Sequence, residues 1–258
     1  MASDPETPNL ARMYDYMLGG KDNYAVDRQA IDQLTAHIPA AVPLARANRA
    51  FLQRAVRHLA DAGVRQFLDL GSGLPTQGNV HEIAREACPD AKVVYVDHDP
   101  VVAAHARALL EEEGRVAFVE ADLLRPADVL AEVDGFLDLD EPVAVLLVSI
   151  LHFVQEDPGP MVKVLREAVA PGSHLVLTHA VSGLTGDDRE EAAKDVYRGS
   201  STGGATGRTL TEITAFFGDF EPVEPGLVPV GQWRPDTPVL VGDGSLPDYL
   251  YAGAARKP

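Results

Sequence analysis

The chain has 258 residues, 46% of them hydrophobic, and a formal net charge of -17. That length suits one large α/β domain or a domain with a cap, and the apolar share fits a packed globular protein rather than a disordered one. The acidity disfavours broad binding to nucleic acid or an anionic membrane, both of which want a basic face, and the single cysteine, Cys88, excludes an internal disulfide and a cysteine cage for zinc.

A lone cysteine also suits a reducing compartment. No apolar run reaches the ~20 residues of a spanning helix, and no basic flank precedes an apolar core at the N-terminus. A cytoplasmic protein is expected.

Residues 1–8 hold two prolines and little apolar mass. From Asn9 to Asp27 the sequence is unusual. Leu10, Met13, Tyr14, Met17 and Leu18 recur at helical spacing, and Gly19-Gly20 stops the helix before the loop Lys21-Asp-Asn-Tyr24. Apolar surface and tyrosine tips stand together here. The segment reads either as an amphipathic helix on the domain edge or as a lid over a ligand. A second helix is expected over 25–37, ended by Pro39 and Pro43. A longer one follows over 44–62 with Leu44, Phe51, Leu52, Val56 and Leu59 inward, stopping at Gly63. Arg49 sits mid-helix, where a solvated charge is the commoner state. Residues 1–62 are expected to form a helical cap and 63–258 the core of one structural domain.

The organising stretch comes next. Gln66 to Leu70 is a short apolar strand that contains Asp69, and Gly71 and Gly73 follow at once. Glycine permits a tight turn or a close approach of backbone to ligand. Asn79 with Glu82 has the spacing of a capping box. A second β-rich run, Lys92-Val-Val-Tyr-Val-Asp97, also ends in an acid, the position that holds a ribose diol in doubly wound sheets. The third glycine of a dinucleotide fingerprint would fall at Thr76, which argues against a pyrophosphate. Asp69-Leu-Gly-Ser-Gly73 with Asp97 suits a nucleoside without phosphate.

Further strands are expected over 115–119, 143–149 and 173–179, with helices near 79–87, 100–112 and 158–169. Strands alternating with helices imply crossovers and a parallel sheet, and the unbroken apolar run from Val143 marks a central strand covered on both faces. A short helix is expected near 187–197, a loop over 199–207, and a helix from Thr209 to Phe217 capped by Thr209. The tail, 221–233 and 249–255, reads as two strands forming an antiparallel hairpin at the sheet edge. Seven strands result, mostly parallel.

Ligands sit beyond the carboxyl ends of such strands. The polar residues there are Asp69, Gly71 and Gly73, then Asp97, His98 and Asp99, then Asp122 and Leu123, then Ser149 and His152, then Thr178 and His179. Asp97 suits two ribose hydroxyls, while Asp99 is the better cap for the helix after Pro100. Asp122 either accepts from an exocyclic amine or is a turn residue. Ser149 either lines the cleft or caps the next segment. His152 is a general base, a histidine packed against the ligand, or a satisfied core residue. Zinc hydrolase, serine-elbow and P-loop patterns are absent from the sequence.

Phe67-Leu-Asp-Leu-Gly-Ser-Gly73, Val94-Tyr-Val-Asp-His-Asp99, Val119-Glu-Ala-Asp122 and Leu147-Val-Ser-Ile-Leu-His152 resemble the successive motifs of class I S-adenosylmethionine-dependent methyltransferases. More narrowly, Ala11 to Tyr24 and Ala47-Asn-Arg-Ala-Phe51 resemble a bacterial methyltransferase family of unassigned substrate. Tyr249 to Gly253 looks like the last antiparallel strand of that fold. The resemblance implies a Rossmann-like seven-stranded α/β sheet with an N-terminal helical cap. It implies S-adenosyl-L-methionine as cofactor, with Gly71, Ser72, Gly73 and Asp69 at its methionine part and Asp97 on its ribose. It implies His98, Asp122 and Leu123 at adenine and Ser149 and His152 near the sulfonium. Arg12, Tyr14, Lys21, Tyr24 and Arg49 would come from the cap. Pro75 departs from the pattern, which often has a glycine there. A small-molecule acceptor is expected, with neither nucleic acid nor membrane as partner. The competing readings are a cofactor-binding sensor without turnover and, disfavoured by Thr76, a nicotinamide dehydrogenase.

Overall fold

The computed structural model describes residues 5–75, 78–109, 114–183, 186–236 and 246–258. Thr76, the expected end of the 100–112 helix and most of the loop before the last strand lie outside these residues.

Three helices come first: α1 (Leu10–Leu18), α2 (Ala25–His37) and α3 (Ala41–Asp61). Asn9 caps α1, its side chain accepting from the Arg12 N–H, and Gly19 ends it in the left-handed region. The third helix begins three residues before the expected start. Pro43 falls in its first turn, where an N–H has no partner within the helix, so the proline is tolerated.

Strands and helices then alternate: β1 (Gln66–Leu70), α4 (Val80–Ala87), β2 (Lys92–Asp97), α5 (Pro100–Leu109), β3 (Val116–Glu120), α6 (Pro126–Val133), β4 (Val143–Val148), α7 (Gly159–Ala168) and β5 (His174–Ala180). Asn79 and Glu82 form the expected capping box on α4. The helix α6 is an addition. Pro126 occupies its first turn. The chain ends with α8 (Asp187–Arg198), α9 (Leu210–Ala215), β6 (Glu221–Pro222), β7 (Val228–Pro229) and β8 (Leu250–Arg256).

The sheet order is β3-β2-β1-β4-β5-β8-β6, with β7 also on β8. Strands β1 to β5 are parallel, and β8 is antiparallel to β5. Among the described residues the sheet has eight strands rather than seven, because the segment expected as one strand over 221–233 breaks into two dipeptides. Pro222 and Pro229, which cannot donate to a ladder, keep both pieces short.

Alternate strand residues feed two cores. Phe67, Val93, Ala144, Leu146 and Val176 face α3 and α4, with Trp233 packed edge-on against Phe51. Leu68, Val94, Val145, Leu147 and Leu177 face α6, α7 and α9. Met13, Met17, Ile31, Leu34 and Ala45 form a third cluster, joined by Ala193 of α8. The cap helices and α8 thus share a core above the strand ends.

Candidate functional site

The strand order reverses between β1 and β4, and at such a switch point the carboxyl ends open a crevice. A cavity of ~1210 Å³ lies there, roofed by the cap helices and α8.

The turn after β1 shapes its floor. Gly71 (φ 70°) and Gly73 (φ 65°) both occupy the left-handed region. A side chain on Gly71 would meet Ile150 at 2.5 Å, whereas the space beside Gly73 is open. Ser72 Oγ is buried without a hydrogen-bond partner and lines the cavity.

Asp97 ends β2, and both of its oxygens are held. The Gly73 N–H donates to Oδ2 at 2.9 Å and the Asp99 N–H to Oδ1 at 3.0 Å. Each carboxylate oxygen accepts a second donor. Burial raises the Asp97 pKa, against the pull of the two N–H groups. Asp99 caps α5, accepting from the Val101 N–H at 2.8 Å, and also receives the Asn9 amide.

Asp69 is 6% exposed. Burial pushes its carboxyl up to about 7, opposed by Arg49 and reinforced by Asp97. An acid with a raised folded pKa holds its proton more tightly when folded. Its stabilising contribution is therefore complete below the unfolded value of 3.8 and lost as pH rises through about 7. Asp69→Asn is expected to flatten the fall in stability across that window, as read by urea melts at several pH values. An unchanged slope would assign the effect to another group.

A buried chain of hydrogen bonds ties the sheet to the cap. The Ser149 N–H donates to Thr178 Oγ1 at 2.8 Å, and that hydroxyl donates to Asn48 Oδ1 at 2.7 Å. Asn48 Nδ2 donates to the Tyr14 hydroxyl at 2.8 Å, which donates to the Ala45 carbonyl at 3.2 Å. Ser149 has φ 60°, a conformation costly for a side-chain-bearing residue, and the Thr178 bond helps hold it at the cavity wall. Burial raises the Tyr14 pKa, keeping its hydroxyl protonated.

His152 is 7% exposed, and its Nδ1 has no hydrogen-bond partner. Burial lowers its pKa well below the ordinary value, helped by His179 and Arg208, so the ring is neutral at pH 7. Arg208 fixes this corner. Its guanidinium donates to the carbonyls of Leu151, Val154 and Glu156 and to His179 Nε2.

The family described as S-adenosyl methyltransferase matches residues 2–258 of the chain. The chain belongs to that family. A candidate methyltransferase from Thermobifida fusca is 43% identical, with a TM-score of 0.90 over 98% of this chain and 96% of its own. A DUF574 family protein from Streptomyces avermitilis is 41% identical, with a TM-score of 0.91 over 99% of each chain. The pyocyanin biosynthetic protein PhzM, 20% identical with a TM-score of 0.50 over 95% of this chain and 62% of its own, shares the fold. No curated protein matches the sequence.

The chain is thus a methyltransferase with S-adenosylmethionine as cofactor. The site fits that cofactor. Asp97 offers acceptors for a diol, Ser72 Oγ an unused polar atom, and Gly73 open space, all on one wall.

Of the residues expected at the site, Tyr14, Arg49, Asp69, Gly71, Ser72, Gly73, Asp97, His98, Asp122, Leu123, Ser149 and His152 all line this methyltransferase's cavity. Asp122 also makes the turn, its carboxylate accepting from the Leu124 N–H at 2.9 Å. Arg12, Lys21 and Tyr24 are not brought to the wall. Arg12 is buried in an ion pair with Asp27 at 2.7 Å and lies over the Tyr24 ring, while Lys21 is exposed. These residues build the cap rather than the pocket face. Asn9, Asn48, Phe153 and Tyr197 line the cavity and were not anticipated. Asn9 carried a signal as a cap residue three places before Arg12, and Asn48 as part of the Ala47–Phe51 stretch.

Proposed function

We propose that S-adenosylmethionine lies along the carboxyl ends of β1, β2 and β3, and that its methyl group goes to a small-molecule acceptor beneath the cap helices α1 and α2. The observation that carries this is Asp97, whose two oxygens are fixed by backbone N–H groups at the edge of the switch-point cavity. Asp97 takes the ribose hydroxyls. His98, Asp122 and Leu123 border adenine. Gly71, Ser72 and Gly73 underlie the methionine part, with Arg49 and Asp69 offering one charge of each sign to its carboxylate and ammonium.

When bound, the cofactor supplies a methyl group already activated by its sulfonium. The chain's own part is to orient the acceptor and exclude water. Ser149 and Tyr14, held by the buried chain of hydrogen bonds, set one wall of the reacting space. His152, neutral at pH 7 and with its imidazolium disfavoured by burial and by Arg208, accepts a hydrogen bond from an acceptor hydroxyl or ammonium. A roofed cavity favours a small acceptor over a polymer, and the -17 charge disfavours nucleic acid. No helix among the described residues is long and apolar enough to cross a membrane.

Calorimetric titration with S-adenosylmethionine and with S-adenosylhomocysteine tests the binding step, and saturable one-site heat is expected from each. Acceptor size is tested by fractionating a cell extract by mass and following S-adenosylhomocysteine formation. Turnover with the low-mass fraction supports the reading. Turnover with the macromolecular fraction alone overturns the small-molecule part of it.

A further inference from the structure

The cavity extends past the proposed cofactor edge into a chamber between the cap helices and α8. The cap contributes Leu10, Met17, Leu34 and Ile38 to its wall. Opposite them stands an aromatic corner. The Phe153 ring lies 4.4 Å from His152 at 53° and 5.1 Å from Tyr197 at 63° between ring planes. Such tilted rings present faces and edges to a further ring.

Two more observations narrow the occupant. The buried Nδ1 of His152 has no partner among the described residues, and an unmade hydrogen bond of this kind marks a place for a ligand's polar group. The cavity's charge is lopsided. Asp69, Asp97, Asp99, Asp122, Glu156 and Glu190 line it against Arg49 and Lys194. In the acceptor half, Lys194 is bound to Glu190 at 3.0 Å, so its charge is answered within α8. Glu156 is exposed near the aromatic corner and forms no ion pair among the described residues. The cation behind this corner, Arg208, is buried, donates to the carbonyls of Leu151, Val154 and Glu156 and to His179, and does not line the wall. An anion entering here would lose hydration and face the Glu156 carboxylate rather than a free cation.

Resting on the proposed function, we propose that this chamber is an acceptor subsite for an aromatic molecule, uncharged or cationic, that hydrogen-bonds to His152 and is rejected when it carries a carboxylate or phosphate. The ring is held against Phe153 and Tyr197, and the acidic wall does the sorting.

The test uses the full chain saturated with S-adenosylhomocysteine and three probes of one ring and nearly one size: tyrosol (neutral), tyramine (cationic) and 4-hydroxyphenylacetate (anionic). Binding is read by saturation-transfer NMR and by direct titration. Tyrosol and tyramine are expected to bind at least tenfold more tightly than 4-hydroxyphenylacetate. The exposed change Glu156→Lys is expected to narrow that ratio at least threefold with S-adenosylhomocysteine binding retained, and His152→Phe to weaken tyrosol. Equal or tighter binding of the anion, no saturable binding of tyrosol and tyramine, or a ratio unmoved by Glu156→Lys would overturn the proposal while leaving the cofactor reading intact. Failure to saturate with S-adenosylhomocysteine would instead overturn the proposed function, and this inference with it.

Discussion

Replacing Asp97 with alanine is expected to weaken S-adenosylmethionine binding about 100-fold or more, read by calorimetric titration. Each hydrogen bond from a ribose hydroxyl to a carboxylate contributes about 1.5–3 kcal/mol. Two such bonds at the lower end amount to about 3 kcal/mol, roughly two factors of ten in affinity. The substitution also removes the acceptor of the Gly73 and Asp99 N–H groups, freeing the turn that forms the floor. Stability is expected to move little or to rise, since burial raises the pKa of this carboxyl and its removal relieves a desolvated charge. Lost affinity with a retained melting temperature is therefore the signature. A dissociation constant within threefold of wild type would dismiss Asp97 as the ribose ligand.

The second large effect belongs to the cap. Asp27 is fully buried, and its carboxylate accepts from Arg12 Nε at 2.7 Å and from the Asn9 and Tyr24 N–H groups, each at 2.8 Å. Asp27→Ala removes the carboxylate that Arg12, itself 2% exposed, meets at 2.7 Å. Breaking a buried pair from one side costs about 3–5 kcal/mol. At roughly 2–4 °C per kcal/mol for a chain of this size, melting should drop by about 6–20 °C in calorimetry. Replacing both partners, Arg12→Leu with Asp27→Leu, is expected to recover much of the loss, because an apolar pair does not strand a charge. A drop below about 2 °C in the single variant would mean that the pair is hydrated in solution.

These two carboxylates also show what the sequence made legible. Asp97 was readable because strand, turn and acid lie in one local pattern, and the parallel register of β1 on β2 brings Gly73 and Asp97 together. The central strand from Val143 was readable because burial on both faces demands an unbroken apolar run. The capping box of α4 was readable from three-residue spacing, and the cap of α9 from Thr209, which the structure completes into a box with Glu212. Arg12 and Tyr24 were harder. Their segment marks a cap, but whether a side chain faces the cavity or a neighbouring helix depends on where Asp27 packs. Arg208 gave no signal, because its partners are backbone carbonyls 52 to 57 residues away. The helix α6 was missed because only Val129 and Val133 among its eight residues are fully buried, too few for a clear period.

The stretch around Asn9 is fastened on two sides of the cavity. Its side chain reaches Asp99, the Ser201 N–H donates to the Pro8 carbonyl at 2.9 Å, and the Leu10 N–H donates to Ser201 Oγ at 3.1 Å. Proteases need an extended, unfastened strand, so cutting ahead of Leu10 must wait for this seam to part. A nucleoside held by Asp97 steadies the loop on which Asn9 rests. Thermolysin, which cuts on the amino side of apolar residues such as Leu10, is thus expected to trim the N-terminal end more slowly when S-adenosylhomocysteine is present. That trimming rate is an occupancy gauge that works before any methyl acceptor has been found.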